Sequence, residues 1–169
     1  MKLFLTSTSR SRGSSLIETV IAMGVLAVVI PLVFGAIAES GKSGVSAEAE
    51  TRSTWIVPAC MDEIEASRNG KPRFFTATAT GQVFPEAGGV WALAFSPEGE
   101  PVGKMDKTLY DKGAREIDGK PIRFIASISS AEIVPPVTPK MLRVRISLEY
   151  PSTSPAEKRQ KLDFYTRIP

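Results

Sequence analysis

GSSLIETVIAMGVLAVVIPLVFGAIA, residues 13–38, holds one acid, Glu18, at the head of an otherwise uncharged run. The twenty residues 19–38 carry no charge, and at about 1.5 Å per residue a helix of that length reaches the roughly 30 Å of a bilayer's hydrocarbon core. By length this is a membrane helix. An ionised side chain at the centre of such a helix costs on the order of 2.5–3.5 kcal/mol, and less toward its end. Two readings of Glu18 follow. It sits at the membrane interface beside the helix N-terminus, where the backbone dipole favours an anion, or it meets a partner charge from another chain.

The flanks bear on that choice. Residues 1–13, MKLFLTSTSRSRG, carry Lys2, Arg10 and Arg12 and no acid, a bias that keeps this end cytoplasmic and sends the C-terminus outward. A basic leader, Gly13, two small residues, Leu16-Ile17-Glu18 and an apolar run resemble the prepilin motif of the type IV pilin superfamily. The resemblance implies that a membrane prepilin peptidase cuts after Gly13 and methylates the new amino terminus at Ser14. Glu18, fifth in the mature chain, then corresponds to the acid that pairs with that amino group in a growing filament. The family usually has Phe or Met where this chain has Ser14, a departure that bears on methylation. The implied partners are the peptidase, other pilin-like subunits and an inner-membrane assembly platform, with membrane lipid around the helix before assembly.

Composition takes on a different meaning once the leader is set apart. The formal net charge is +3, yet the leader holds three of the 21 basic residues and none of the 18 acids, so the rest balances at 18 against 18. Binding to phosphate backbones rests on clustered Lys and Arg, so no nucleic-acid partner is expected. The local run EKRQK, residues 157–161, is read as a solvated loop between strands. Cys60 is the single cysteine and histidine is absent, which removes an internal disulfide framework and the commonest general base and metal ligand. Enzymatic chemistry and a cofactor are not expected. AIAESGKS, residues 36–43, matches a relaxed phosphate-loop pattern, but such a loop needs a buried strand before it and more glycine than Gly41 supplies. Ala36-Ile37-Ala38 also resembles a signal-peptidase site, which would release a soluble domain starting at Glu39; the apolar run is longer than the h-region of a signal peptide.

Beyond the span, Val45, Ala49, Ile56, Cys60 and Ile64 fall within roughly a 100° arc at 100° per residue, with Glu48, Arg52 and Glu63 mostly off it. An amphipathic continuation of the helix fits. Pro58 removes a hydrogen bond and crowds the Thr54 carbonyl, predicting a kink or short break near Val57; Pro31 predicts a kink or unwound turn in the span. Gly41 and Gly44 loosen the join, and SRNGKP, residues 67–72, supplies the stop. From Arg73 the period shortens to two. LRVRISLEY (142–150) and KLDFYTRI (161–168) alternate apolar with polar and predict a hairpin. PIRFIASIS (121–129), VWALAF (90–95) and RFFTATA (73–79) are further strand candidates. Residues 98–121 are read as a solvated loop; their acids Asp106, Asp111, Glu116 and Asp118 offer oxygens to calcium, without the ligand spacing of an EF-hand. Trp55, Trp91 and Cys60 are assigned to packing.

The expected fold is α+β, a long kinked N-terminal helix packed on a small antiparallel sheet. Its segments are a leader (1–13), a transmembrane and filament-core helix (14–38), an amphipathic continuation (39–70) and the sheet domain (71–169). Within the superfamily the short C-terminal hairpin after a long helix and the lack of a terminal disulfide pair resemble the minor pseudopilins of the I/V class, and the layout, with a SPEGEP turn after an aromatic strand, resembles the Verru_Chthon cassette protein B family more closely still. The implied function is a non-enzymatic filament subunit of a type II secretion or type IV pilus-type system. It would wait in the inner membrane, N-in with its domain in the periplasm, and then join the filament. The other two readings are a secreted binding domain cleaved after Ala38 and an unprocessed single-pass membrane scaffold.

Overall fold

An acid in its first turn and long helix-compatible stretches on either side of Pro31 and Pro58 set up α1 (Leu16–Arg68), a single helix of 53 residues. The computed structural model describes residues 16–86, 88–133 and 141–169. Two compact units divide it, one up to Gly44 and one from Val45 to Pro169. The described part of the first is the apolar run of α1, where every residue from 16 to 41 is exposed. The phosphate-loop match at 36–43 is helical too, so no cradle of loop amides forms there.

In the second unit the alternating segments become strands. Five of them, β1 (Trp91–Phe95), β2 (Pro101–Met105), β5 (Phe124–Glu132), β6 (Leu142–Tyr150) and β7 (Gln160–Ile168), make an antiparallel sheet in the order β2-β1-β5-β6-β7. Between β2 and β5 lie helix α2 (Lys107–Lys112) and the short hairpin of β3 (Glu116–Ile117) and β4 (Lys120–Pro121). A 3-10 turn, Ala156–Lys158, leads into β7.

The period of two sorts the sheet into two faces. One presents Leu93, Phe95, Phe124, Val144, Ile146 and Leu148 to Ala49, Ile56, Cys60 and Ile64 of α1, all buried in one core. The helical stripe therefore covers the sheet as its spacing predicts. The half-buried pair of Glu48 and Arg123, 2.5 Å apart, adds a polar tie between helix and sheet. The other face is covered at one end by a smaller cluster of Ala92, Ala94, Met105, Ile122 and Ile125, with Tyr110 and Ile117 against it.

Several expectations need correction. α1 runs through both prolines, so of the alternatives expected, a kink or a break near Val57 and a kink or an unwound turn at Pro31, the break and the unwound turn do not occur. At Pro58 the core contacts of Ile56, Cys60 and Ile64 hold the helix on both sides of the lost hydrogen bond. RFFTATA is not a strand. Its backbone donors are taken by α1: the Glu63 carboxylate accepts from the N–H groups of Arg73, Phe74 and Phe75, and the Ser67 carbonyl from that of Thr78. Glu63, expected off the stripe, is 5% exposed because of this role. Residues 98–121 hold β2, α2, β3 and β4 rather than a plain solvated loop. Trp91 packs as expected, stacked on Phe75 and Phe84 with ring centroids 4.4 and 4.7 Å away. Trp55, by contrast, is 66% exposed, because it lies on the side of α1 turned from the sheet. Cys60 is fully buried, and burial, with Glu63 adding, pushes its thiol pKa well up.

Candidate functional site

Glu18 lies in the first turn of α1 as described, exposed between Ile17 and Thr19. Gly13 and Ser14, the expected cleavage and methylation positions, lie outside the described residues. Around Glu18 the helix presents Leu16, Ile17, Val20 and Ile21, all exposed. Among the described residues α1 is the one helix long and apolar enough to cross a membrane. Helix formation satisfies the backbone polar groups inside the run, which is what a hydrocarbon environment demands. The Glu18 carboxylate is left, among the described residues, for lipid headgroups, water or another chain to satisfy.

Sequence reasoning missed a buried polar centre in the second unit. The Glu149 carboxylate, 1% exposed, receives the Tyr110 hydroxyl at 2.6 Å, the Ser127 hydroxyl at 2.9 Å, Arg159 Nη1 at 3.0 Å and Lys161 Nζ at 3.2 Å. Arg159, 6% exposed, also donates to the backbone carbonyls of Ser154 and Tyr110, and its guanidinium lies 4.9 Å from the centre of the Tyr110 ring. The EKRQK run is thus not simply a solvated loop, because its Arg159 is an internal ion-pair partner. Burial, and then the hydrogen bond to Glu149, push the Tyr110 phenol up to about 12. The group sits beside a cleft of about 140 Å³. Ser147 Oγ, buried and without a hydrogen-bond partner among the described residues, lines the same cleft, and the centre itself holds a fully ligated carboxylate. It joins α2, β5, β6 and the turn before β7, and its work is cohesive. The sequence signal was thin: two opposite charges ten residues apart across a hairpin, each in a segment otherwise read as solvent-facing.

The acids weighed for calcium do not converge. Asp106 caps α2 by accepting the Leu109 N–H at 2.8 Å, and no group of three or more His, Cys, Asp or Glu side chains fit to hold a metal exists among the described residues. Asp111, Glu116 and Asp118 are spread over α2 and the β3–β4 hairpin.

No family model matches the chain, and no curated protein or solved structure matches it either. The layout, a long N-terminal helix with a small antiparallel sheet beneath its second half, is compatible with a pilin-like fold.

Proposed function

We propose that this chain is a membrane-anchored, non-enzymatic pilin-like subunit, of the minor pseudopilin kind, for a type II secretion or type IV pilus-type envelope filament. The observation that carries the reading is an exposed apolar helical run headed by a single carboxylate and continuing in the same helix into a stripe that caps a sheet. The leader of Lys2, Arg10 and Arg12 favours N-in insertion with the sheet unit in the periplasm. Peptidase cleavage after Gly13 and methylation at Ser14 leave Glu18 four residues from the new amino terminus. In a filament of packed helices a neighbour's amino terminus meets Glu18. An unpaired charge in low dielectric is costly, whereas a paired one is tolerated, so the pair sets register more than it adds stability. No cofactor enters this role.

Mass spectrometry of the mature N-terminus, combined with Glu18→Ala, tests the reading. The chain is expected to start at Ser14, and Glu18→Ala to insert, mature and fold while losing incorporation into filaments. A start at Glu39 would make the protein a secreted domain, and a retained leader would make it a fixed single-pass scaffold. Wild-type assembly of both Glu18→Ala and Glu18→Lys would remove the pairing role.

A further inference from the structure

On β6 and β7 the side chains that face away from α1 include Arg143 and Arg145 on one strand and Lys161, Tyr165 and Arg167 on the other, all exposed. The register sets Arg143 directly opposite Arg167, and Arg145 opposite Tyr165. Arg145 is engaged by Asp163 at 2.8 Å and Lys161 by Glu149 at 3.2 Å. Arg143 and Arg167 have no acidic partner among the described residues. Like charges placed directly opposite on neighbouring strands work against pairing. Among the described residues, this end of the sheet therefore carries positive charge without an acidic partner.

The complement lies on the other side of the same unit. Glu50, Trp55, Asp62 and Glu65 are exposed on α1, and at 100° per residue they fall within an arc of about 140° opposite the buried stripe. None of the three acids forms an ion pair among the described residues. The acidic strip spans about 22 Å at the helical rise, and Lys161 to Arg167 spans about 20 Å at the strand rise. The sheet and the body of the helix stand between the two strips, so they do not meet within one chain. Among the described residues beyond 44 the exposed large apolar side chains are Trp55, Val83, Leu109 and Tyr165; one aromatic lies in each strip, the residue type that anchors interfaces.

We propose that the Arg143–Arg167 face of β6 and β7 receives the outward face of α1, residues 50–65, from a second copy of this chain. The two patches differ, so the contact is head-to-tail, and such a contact propagates into an open array unless its rotation closes a ring. It deepens the filament reading, on which it rests for bringing copies side by side, by naming a second copy as the partner and charge as the selector of register.

The experiment uses the full-length chain in its membrane with a photoreactive benzoylphenylalanine in place of Tyr165. An adduct of two chains is expected, joined within residues 47–68 of the second copy, with a yield that falls as salt rises. Arg143→Glu with Arg167→Glu should lower that yield at least tenfold. Adding Asp62→Arg with Glu65→Arg to the same chain should bring it back to within threefold. Matching near-UV circular dichroism spectra ensure that all variants are folded. Cross-linking to lipid or to a different protein, no adduct from chains that begin at Ser14, or a charge swap that fails to restore the adduct would each overturn the proposal. The mature N-terminus is read in the same sample. If it is Met1 or Glu39 the filament reading falls, and the presence or absence of the adduct still decides this contact.

Discussion

At the scale of single residues, Arg159 shows how a charge is made tolerable inside a small domain. Its guanidinium faces the Glu149 carboxylate at 3.0 Å and reaches the Ser154 carbonyl at 2.8 Å, so its fork is used in several directions at once, which an ammonium does not reproduce. Removing one partner of a buried pair leaves the other without compensation, a loss of about 3–5 kcal/mol. Lys161 offers Glu149 a second cation at 3.2 Å, but its side chain is half-exposed and screened by solvent. Arg159→Met should therefore destabilise the sheet unit by about 3 kcal/mol, the lower end of that range, and Arg159→Lys should recover only part of it. Adding Glu149→Leu and Tyr110→Phe to Arg159→Met should recover most of the loss, because an apolar replacement of the whole group leaves no buried charge behind. Denaturant midpoints of the full chain in detergent measure each step. A combined variant no more stable than Arg159→Met alone would show that shape, rather than charge, sets the contribution of this centre.

At the scale of elements, the connection after α2 turns on one glycine. Gly113 has φ 84° and ψ 156°, a region populated almost only by glycine, and a Cβ there would lie 2.6 Å from the Ser154 oxygen and 2.7 Å from that of Ser152. Gly113→Ala should cost more than the roughly 1–3 kcal/mol of backbone strain alone. Gly119→Ala, with φ 74° but nothing within 4 Å of its Cβ, should cost only the strain; equal losses in thermal unfolding would refute the role of the Ser152–Ser154 backbone. The elements differ in how plainly the sequence announces them, and the reasons are physical. β6 was legible as a strand because Leu142, Val144, Ile146 and Leu148 alternate without interruption, although the polar positions Ser147 and Glu149 between and beyond them are buried as well. β2 was hidden because Pro101 and Gly103 spoil its pattern; it is an edge strand, where proline's missing donor is harmless, and Gly103 gives Ile117 room. RFFTATA carries strand-like residues but lies where Glu63 and Ser67 of α1 capture its amides, a tertiary competition that local pattern does not record. Of the candidate site, Glu18 and its apolar surroundings were plain from composition, whereas Glu149 and Arg159 meet only through hairpin register and α2.

At the scale of the whole molecule, orientation in a membrane turns on where the few basic residues lie relative to the apolar run. The sheet unit is nearly neutral overall, yet long translocated domains contribute little to topology; what counts are the Lys and Arg within about 15–20 residues of the span. On the leader side these are Lys2, Arg10 and Arg12; on the far side they are Lys42 and Arg52. Replacing the three leader cations by glutamine leaves two on the far side against none, so the bias changes sign. The expected result is a fraction of molecules whose sheet unit is protected from protease added to the periplasmic face, where the parent chain is digested. Restoring neutrality with Lys42→Gln and Arg52→Gln on the same chain should shrink that fraction. Because neither change touches the apolar run, membrane extraction should remain the same throughout, which separates lost orientation from lost insertion. Full digestion of every variant would mean that a signal other than the flanking charge sets topology, and with it the assignment of residues 1–13 as an orienting leader would fail.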